Sequence, residues 1–194
     1  MDFAAVMQRV QGVIETIEPH DSPERFTSRG VECVSGTARL ISTYEVEGHG
    51  KIITTESIVI ASGARPFVPP VPGLADIDYL TSDNVWSLTE LPPRLLVVGG
   101  GPIGCELAQA FSHLGSKVTQ VDMATRIMPR EDEDVSAAVS AHFLEQGIDL
   151  LTGHKLLKFE TVDGEHFMEA EHEGSTVRIA FDKVLLAIGR KANT

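Results

Sequence analysis

Three glycines and one acidic residue form the pattern with the clearest chemical meaning in this chain. Gly99, Gly101 and Gly104 stand in the spacing G-x-G-x-x-G, and Asp122 follows about 20 residues later. Glycines so spaced allow a tight turn, a close approach of the backbone to a diphosphate, and close packing of a helix on a strand. The free N–H groups of that helix would hold the diphosphate, and the acid would accept hydrogen bonds from the adenosine ribose. The pattern predicts a dinucleotide site.

The elements needed to position these residues occur in the required order. An apolar run at 95–98 indicates a buried parallel strand, and the apolar periodicity from Ile103 to Leu114 predicts a helix. A second strand at 117–121 ends at Asp122. A plain βαβ unit with an acid at a strand end is the structural alternative. The combination of strand, glycines, helix, strand and acid favours the cofactor site.

The acid also bears on which dinucleotide is bound. A carboxylate at position 122 would repel a 2′-phosphate, so NAD is favoured over NADP. Arg126 and Arg130 lie just beyond and could reach a 2′-phosphate, which keeps NADP as the alternative.

Cys105 lies in the first turn of the predicted helix, where the helix dipole is expected to lower its pKa, although packing behind the turn is its favoured role.

Composition excludes several classes of function. The formal net charge is −12 and no basic face stands out, so neither nucleic acid nor an anionic membrane surface is an expected partner. No apolar run approaches the ~20 residues of a membrane span, and no secretory leader is recognised, which favours a cytoplasmic protein. Neither the two cysteines nor the seven histidines have metal-ligand spacing, so no metal site is predicted.

The first half of the chain is predicted to contain a helix, an antiparallel meander and a proline-rich connector, in that order. Apolar residues at helical spacing predict a helix over 3–17, and short β runs between residues 30 and 62 predict an antiparallel meander. The run 58–61 is apolar throughout, so a buried strand is expected there. A proline-rich connector at 66–73 follows, and then a short helix at 82–88 with Trp86 as its anchor.

The second half predicts an α/β fold. After Asp122, a helix and a third parallel strand at 148–151 complete a βαβαβ unit. Three further strands between 156 and 180, separated by Asp-Gly and Glu-Gly turns, form a meander. A buried strand at 184–188 then ends in Gly189.

These motifs together resemble the flavoprotein disulfide reductases, the family of dihydrolipoamide dehydrogenase, mercuric reductase and glutathione reductase. The chain looks like their middle section. Thr37 and Ala38 lie in a segment similar to the one whose backbone meets the FAD adenine. Ser62 and Gly63 lie in a segment that looks like the family's second FAD-contacting motif. The resemblance therefore implies FAD as a cofactor of the full-length protein.

The segment from Gly99 to Glu106 is similar to the family's NAD(P) loop. Glu106 stands at the position that pairs with a lysine beside the flavin ring, and Pro102 stands where several members have an aromatic residue covering the flavin. With the glycine pattern, the resemblance implies an NAD pocket made of Gly99, Gly101, Pro102, Ile103, Gly104, Glu106, Asp122, Met123 and Gly189.

The expected organisation is a partial FAD-binding segment with a linker at 1–91, comprising a helix and an antiparallel meander. Residues 92–194 are expected to form a Rossmann-like NAD(P)-binding domain with a parallel sheet and a β-meander. The resemblance implies a flavoprotein oxidoreductase that passes hydride from NAD(P)H to FAD and on to a disulfide or another acceptor, with small-molecule dinucleotides as partners. The parent protein is expected to be a homodimer.

The family's C-x-x-x-x-C redox pair and catalytic His-Glu pair do not occur in this sequence. No catalytic residue is therefore assigned, and the chain alone is expected to be inactive. Apolar surface around residues 1–90 is expected to be exposed and to favour self-association. Two alternatives stay open: a stand-alone non-catalytic NAD(H)-binding module, and an adenosyl-methionine methyltransferase, against which the three-glycine spacing argues.

Overall fold

A computed structural model describes residues 1–193 of the chain. Its helices are α1 (Phe3–Ile17), α2 (Pro23–Ser28), α3 (Pro102–Leu114) and α4 (Glu133–Glu145). Its strands are β1 (Ala38–Ser42), β2 (Glu45–Gly48), β3 (Lys51–Thr54), β4 (Ala64–Pro66), β5 (Tyr79–Leu80), β6 (Arg94–Val98), β7 (Lys117–Val121), β8 (Asp149–Leu151), β9 (Lys155–Val162), β10 (Glu165–His172), β11 (Ser175–Phe181), β12 (Lys183–Leu186) and β13 (Arg190–Ala192).

The described residues divide into two compact units, one formed by residues 1–7 and 64–193 and the other by residues 8–63. The larger unit contains β5, which joins the main sheet, and β4, which pairs with β13. These pairings bring residues 64–91 into the larger unit. The domain boundary expected between residues 91 and 92 stays a prediction.

The larger unit is built on a five-stranded parallel sheet with the order β5-β12-β6-β7-β8. The α/β fold predicted from the sequence is confirmed. Because the strands run parallel, their carboxyl ends meet at one edge of the sheet. The residues that follow β6, β7 and β12, including Gly99 and Asp122, therefore come together at that edge.

Each face of this sheet has its own apolar layer. Leu95, Val97 and Val118 face α3 and α4, where they pack with Ala108 and Phe111. The alternate residues of the same strands, such as Leu96 and Val98, face the antiparallel meander β9-β10-β11. The sheet is thus covered on both faces, which explains why β6 and β12 are apolar after their first residue.

Local sequence signals set both ends of α3. Gly101 is the N-cap residue with extended backbone, and Pro102 follows at the first helical position, where its missing N–H costs nothing. At the other end Gly115 adopts φ 111° and its N–H donates to the Phe111 carbonyl at 3.1 Å. The helix therefore begins directly at the glycine turn.

The smaller unit holds the antiparallel sheet β1-β2-β3, and none of the residues 8–63 is buried. The prediction of a buried strand at 58–61 is wrong. The segment forms no strand, and Val59 and Ile60 are 88% and 69% exposed. A strand needs a neighbouring edge to pair with, and no described strand pairs with this segment.

The prediction of a short helix at 82–88 is also wrong. A single 3₁₀ turn spans Val85–Ser87, and Val85 is the buried anchor, whereas Trp86 is 40% exposed. Trp86 instead donates its indole N–H to the Ser82 carbonyl at 2.7 Å.

In the part of the chain that the structure describes, no helix has the length and apolar character that crossing a membrane requires.

An ion-paired junction ties the amino ends of β6 and β12 together. The Arg94 guanidinium binds both carboxylate oxygens of Asp182, and Asp182 also accepts the Arg94 backbone N–H at 2.8 Å. Arg94 contacts Glu165 as well, at 2.6 Å. The Arg94 hydrogen bonds hold the pKa of Asp182 below its usual range.

The substitution Asp182→Asn is expected to lower the free energy of unfolding by about 1–2 kcal/mol at pH 7, because it removes a charge-assisted, two-pronged bond. The folded pKa lies below the unfolded value of about 3.9, so the contribution is complete above that pH. It is lost as the pH falls through the folded pKa. Urea unfolding of wild type and variant between pH 3 and 7 measures the difference.

The matched control is Glu165→Gln, which removes a single exposed contact to the same arginine and should cost less than about 0.5 kcal/mol. Equal losses for both variants, or a difference that persists unchanged at pH 3, would contradict the assignment.

Candidate functional site

The glycine turn lies at the carboxyl edge of the parallel sheet, between β6 and α3. Gly99 has φ 120°, and a Cβ at this position would lie 2.4 Å from the Ala187 carbonyl oxygen. A Cβ at Gly104 would lie 2.2 Å from the Gly99 carbonyl oxygen. Both positions therefore require glycine, the first for close approach to the end of β12 and the second for close packing of α3 on the turn.

Gly101, the remaining glycine of the pattern, borders open space instead of backbone. A Cβ at Gly101 would meet nothing within 4 Å, and its φ of −78° suits any residue. Among the described residues, the backbone N–H groups of Gly101, Ile103 and Gly104 have no acceptor. The turn thus presents unpaired donors, at the positive end of a helix dipole, beside open space. This surface has the chemistry that an anionic diphosphate requires.

Asp122 is brought directly to the turn. One oxygen of its carboxylate accepts the Gly100 N–H, and the other accepts the Ala124 N–H at 2.6 Å. The side chain is half-buried. Each oxygen retains a further lone pair, so a carboxylate oriented in this way can still accept hydrogen bonds from a ribose hydroxyl.

The remaining residues predicted for the NAD pocket lie around the same edge. Pro102 and Ile103 form the first turn of α3, and the exposed Glu106 follows one turn later. Met123 comes directly after Asp122 and is 72% exposed. Gly189 follows β12 with φ 115°, and its carbonyl accepts the Phe67 N–H at 2.9 Å.

The loop after Asp122 closes against the glycine turn. The Met128 N–H donates to the Gly100 carbonyl at 2.6 Å. The Arg126 guanidinium donates to the carbonyls of Pro129 and Glu131, at 3.3 and 3.1 Å. Arg126, considered above for a 2′-phosphate, is thus engaged by its own loop, whereas Arg130 is exposed.

The four residues predicted for FAD all lie in the smaller unit, residues 8–63. Thr37 and Ala38 stand at the start of β1, and Ser62 and Gly63 belong to the irregular segment that precedes β4. All four are exposed. Their assignment to FAD stays a prediction.

Two side chains lie behind the turn, Cys105 as the sequence predicted and Gln120, which the sequence analysis missed. Gln120, which is 1% exposed, donates its amide to the Gly99 carbonyl at 2.9 Å. The Cys105 thiol lies 3.5 Å from the Gly100 carbonyl oxygen. Alternation along β7 predicts an apolar side chain at position 120, on the face that packs against α3. A glutamine at such a position is the sequence signal that could have identified Gln120.

The pKa expected for Cys105 is wrong in direction. Burial raises the pKa of this thiol above its ordinary value, because the ionised form would lose its hydration. The nearby carboxylates of Asp122 and Glu106 act in the same direction. Cys105 is therefore a packed thiol that stays protonated, in keeping with its favoured role behind the turn.

A second concave surface of the larger unit lies away from the glycine turn. A cleft of about 530 Å³ opens at the amino ends of β6, β7 and β8, at the opposite edge of the sheet from the glycine turn. Its arginines are already paired, Arg94 with Asp182 and Arg178 with Glu160. Within residues 1–193, no cluster of three or more His, Cys, Asp or Glu side chains could hold a metal ion.

The parallel sheet, the antiparallel meander on one face and the glycine turn at the carboxyl edge define a Rossmann-like α/β protein. Residues 6–194 match the family described as pyridine nucleotide-disulphide oxidoreductase. The chain belongs to this family, as the resemblance in its motifs implied.

Named relatives are considerably longer than this chain. Mercuric reductase of Staphylococcus aureus is 34% identical over 193 residues, which cover all of this chain and 35% of that protein. Dihydrolipoyl dehydrogenase of Acholeplasma laidlawii is 28% identical over all of this chain and 57% of its own length. The solved HOCl-induced flavoprotein disulfide reductase RclA of Escherichia coli superposes with a TM-score of 0.84, at 30% identity, over all of this chain and 44% of that chain.

Substitution of Gly104 by alanine tests the close packing of the turn. Alanine normally stabilises a helix relative to glycine by about 0.5–1 kcal/mol. At Gly104 we expect the reverse, a loss of about 2–4 kcal/mol in the free energy of unfolding, because the added methyl would overlap the Gly99 carbonyl. Chemical denaturation followed by circular dichroism measures the change.

The control is Gly101→Ala, where the methyl has room and the change should stay below about 1 kcal/mol, because the only cost is that alanine is a poorer N-cap than glycine. A stabilised Gly104→Ala variant would show that the approach of helix and turn is not as described.

Proposed function

We propose that this chain supplies the NAD(H) pocket of an FAD-dependent oxidoreductase, which passes hydride from NAD(P)H to FAD and on to a disulfide or another acceptor. The observation that carries the proposal is the open glycine turn. The N–H groups of Gly101, Ile103 and Gly104 have no acceptor among the described residues, a Cβ at Gly101 would meet nothing within 4 Å, and the Asp122 carboxylate is hydrogen-bonded to the same turn. Membership of the family supports the same function.

In this proposal each part of the turn has a separate task. The N–H groups of Gly101, Ile103 and Gly104 bind the diphosphate, and the missing side chain at Gly101 gives it room. Asp122 accepts the ribose hydroxyls and orients the adenosine end. Pro102, Glu106, Met123 and Gly189 border the rest of the nucleotide. NADH, when bound, supplies the hydride.

NAD is the proposed dinucleotide rather than NADP. A 2′-phosphate would lie close to the Asp122 carboxylate, and like charges at such a distance repel each other. Arg126, which could have offset that repulsion, donates to the carbonyls of its own loop. Both observations favour a ribose with a free 2′-hydroxyl.

The proposal for FAD rests on the family and the motifs at Thr37, Ala38, Ser62 and Gly63. All four residues lie in a unit without buried residues. The chain spans 35% to 57% of the relatives named above. We therefore propose that the chain alone neither holds FAD firmly nor turns over, and that catalysis belongs to the parent enzyme, proposed to be a cytoplasmic homodimer.

Titration calorimetry of the purified chain with NADH tests the function. We expect saturable binding, with NADPH bound at least tenfold more weakly. Gly101→Ala should weaken NADH binding at least tenfold, a change of about 1.4 kcal/mol, because its methyl occupies the space proposed for the diphosphate. Thermal unfolding of this variant should stay close to wild type.

The control ligand is adenosine, which lacks the diphosphate and should bind wild type and Gly101→Ala with similar affinity. Absence of NADH binding by the folded wild-type chain would refute the pocket. A stoichiometric flavin spectrum that NADH bleaches would refute the proposed inactivity of the chain by itself.

The smaller unit supports a further expectation, that the chain self-associates. Exposed apolar side chains are frequent there, among them Leu40, Ile52 and Val59 at 50%, 62% and 88%. Light scattering at rising protein concentration should show a growing mean mass, because such surface favours association. The double substitution Ile52→Ser with Val59→Ser should reduce the growth, whereas Ser57→Ala should not. A monodisperse wild-type monomer at all concentrations would contradict the expectation.

A further inference from the structure

Gln120 occupies an unusual place for a polar side chain. It lies near the carboxyl end of β7, on the face that packs against α3, and is 1% exposed. Val118, two residues earlier on the same face, is part of the apolar core. The side-chain oxygen of Gln120 has no hydrogen-bond partner within residues 1–193, and burial of such an oxygen destabilises the fold.

The amide nitrogen of Gln120, in contrast, is used fully. It donates to the Gly99 carbonyl at 2.9 Å and lies 3.6 Å from the Cys105 sulfur. The Cys105 thiol in turn lies 3.5 Å from the Gly100 carbonyl. Two consecutive carbonyls of the glycine turn are therefore held from behind, one directly by Gln120 and one through Cys105.

Peptide planarity carries this contact to the front of the turn. In a trans peptide the carbonyl and the following N–H point in opposite directions. Because the Gly99 carbonyl is directed at Gln120, the Gly100 N–H is directed away from it, toward the Asp122 carboxylate that accepts it. By the same geometry, a Gly100 carbonyl held by Met128 and Cys105 directs the Gly101 N–H away from both of these residues.

Gln120 and Asp122 are two residues apart, so they project from the same face of the chain. Between them they hold one peptide group, the Gly99–Gly100 peptide, by its oxygen and by its hydrogen. We infer that Gln120 is a positioning residue for dinucleotide binding, which fixes this peptide and thereby aims both the Asp122 carboxylate and the free N–H groups of the turn. The inference rests on the proposed NAD(H) pocket.

The orientation of the amide follows from the same contacts. If the Gln120 side chain were reversed, its oxygen would face the Gly99 carbonyl oxygen, and two acceptors cannot share a hydrogen bond. An apolar side chain of similar length would fill the same space and would avoid the buried, unpartnered oxygen. Gln120 is thus poorly explained by packing and well explained by the peptide it holds.

Gln120→Met tests the inference, since methionine has a similar volume but cannot donate. Loss of the bond to Gly99 should weaken NADH binding about tenfold by calorimetry, in line with the net value of one hydrogen bond. The melting temperature should move by less than about 4 °C, because removal of the unpartnered Gln120 oxygen offsets the loss of a partner for the Gly99 carbonyl. A residue with a purely structural role would change the melting temperature and leave the affinity unchanged.

Gln109→Met is the matched control. Gln109 lies on α3, and its side-chain amide donates to the side-chain oxygen of Gln146 at 3.1 Å instead of to a carbonyl of the turn. This variant should bind NADH as wild type does. If wild type itself fails to bind NADH, the proposed function fails. If wild type binds and Gln120→Met binds equally well, the inference about Gln120 is overturned while the function stands.

A measurement on the wild-type chain avoids dependence on the variant's folding. Nuclear magnetic resonance should show the Gln120 side-chain amide hydrogens exchanging with solvent at least a hundredfold more slowly than those of the exposed Gln8. It should also show the Gly100 amide hydrogen shifted downfield by its bond to Asp122. Gln120 side-chain hydrogens that exchange as rapidly as those of Gln8 would overturn the inference.

Discussion

The close contact between the Gly99 carbonyl and the first turn of α3 is the constraint on which the rest of the site depends. A Cβ at Gly104 would lie 2.2 Å from that oxygen, so the helix can begin here only with glycine at its third position. The same carbonyl is bound from behind by Gln120. Helix, strand and neighbouring strand thus meet at one peptide group, and the direction of the free N–H groups follows from how that peptide is held.

A second consequence of the contact is the contrast between the three glycines. Gly99 and Gly104 are enclosed by backbone, whereas Gly101 borders open space. The turn is therefore rigid on the side that faces the protein and open on the side where a ligand can approach. Rigid donors that need no rearrangement bind an anion more strongly than flexible ones, since less ordering is required on binding.

The two units differ in the way their apolar residues are used. In the larger unit the sheet is covered by helices on one face and by the meander on the other, and its central strands are almost fully buried. Residues 8–63 contain similar apolar strands but no buried residue. An apolar strand becomes buried only when other elements cover it, and no described element covers the segment 58–61. The apolar surface of this unit supports the proposal that it belongs to a larger flavoprotein.

Much of this architecture could be predicted from local sequence. The glycine spacing, the apolar run before it and Asp122 after it each reflect short-range rules of turn geometry and periodicity, and α3, α4, β6 and β7 lie where these rules predict them. The short strand β5 was not predicted, because two residues carry no periodicity. The exposure of Val59 and the burial of Val85 rather than Trp86 were missed, because burial depends on which elements come to lie above a residue.

The sequence by itself determined that a strand, a glycine turn, a helix and an acid follow one another at the spacing of a dinucleotide site, because each of these signals lies in a few neighbouring residues. Only the tertiary structure decided which carbonyls of the turn are held from behind, and by which side chains. Gln120 and Cys105 reach the carbonyls of Gly99 and Gly100 through the packing of β7 on α3. Their contacts join residues that are distant in the chain, and no local pattern specifies which carbonyl a buried amide will meet.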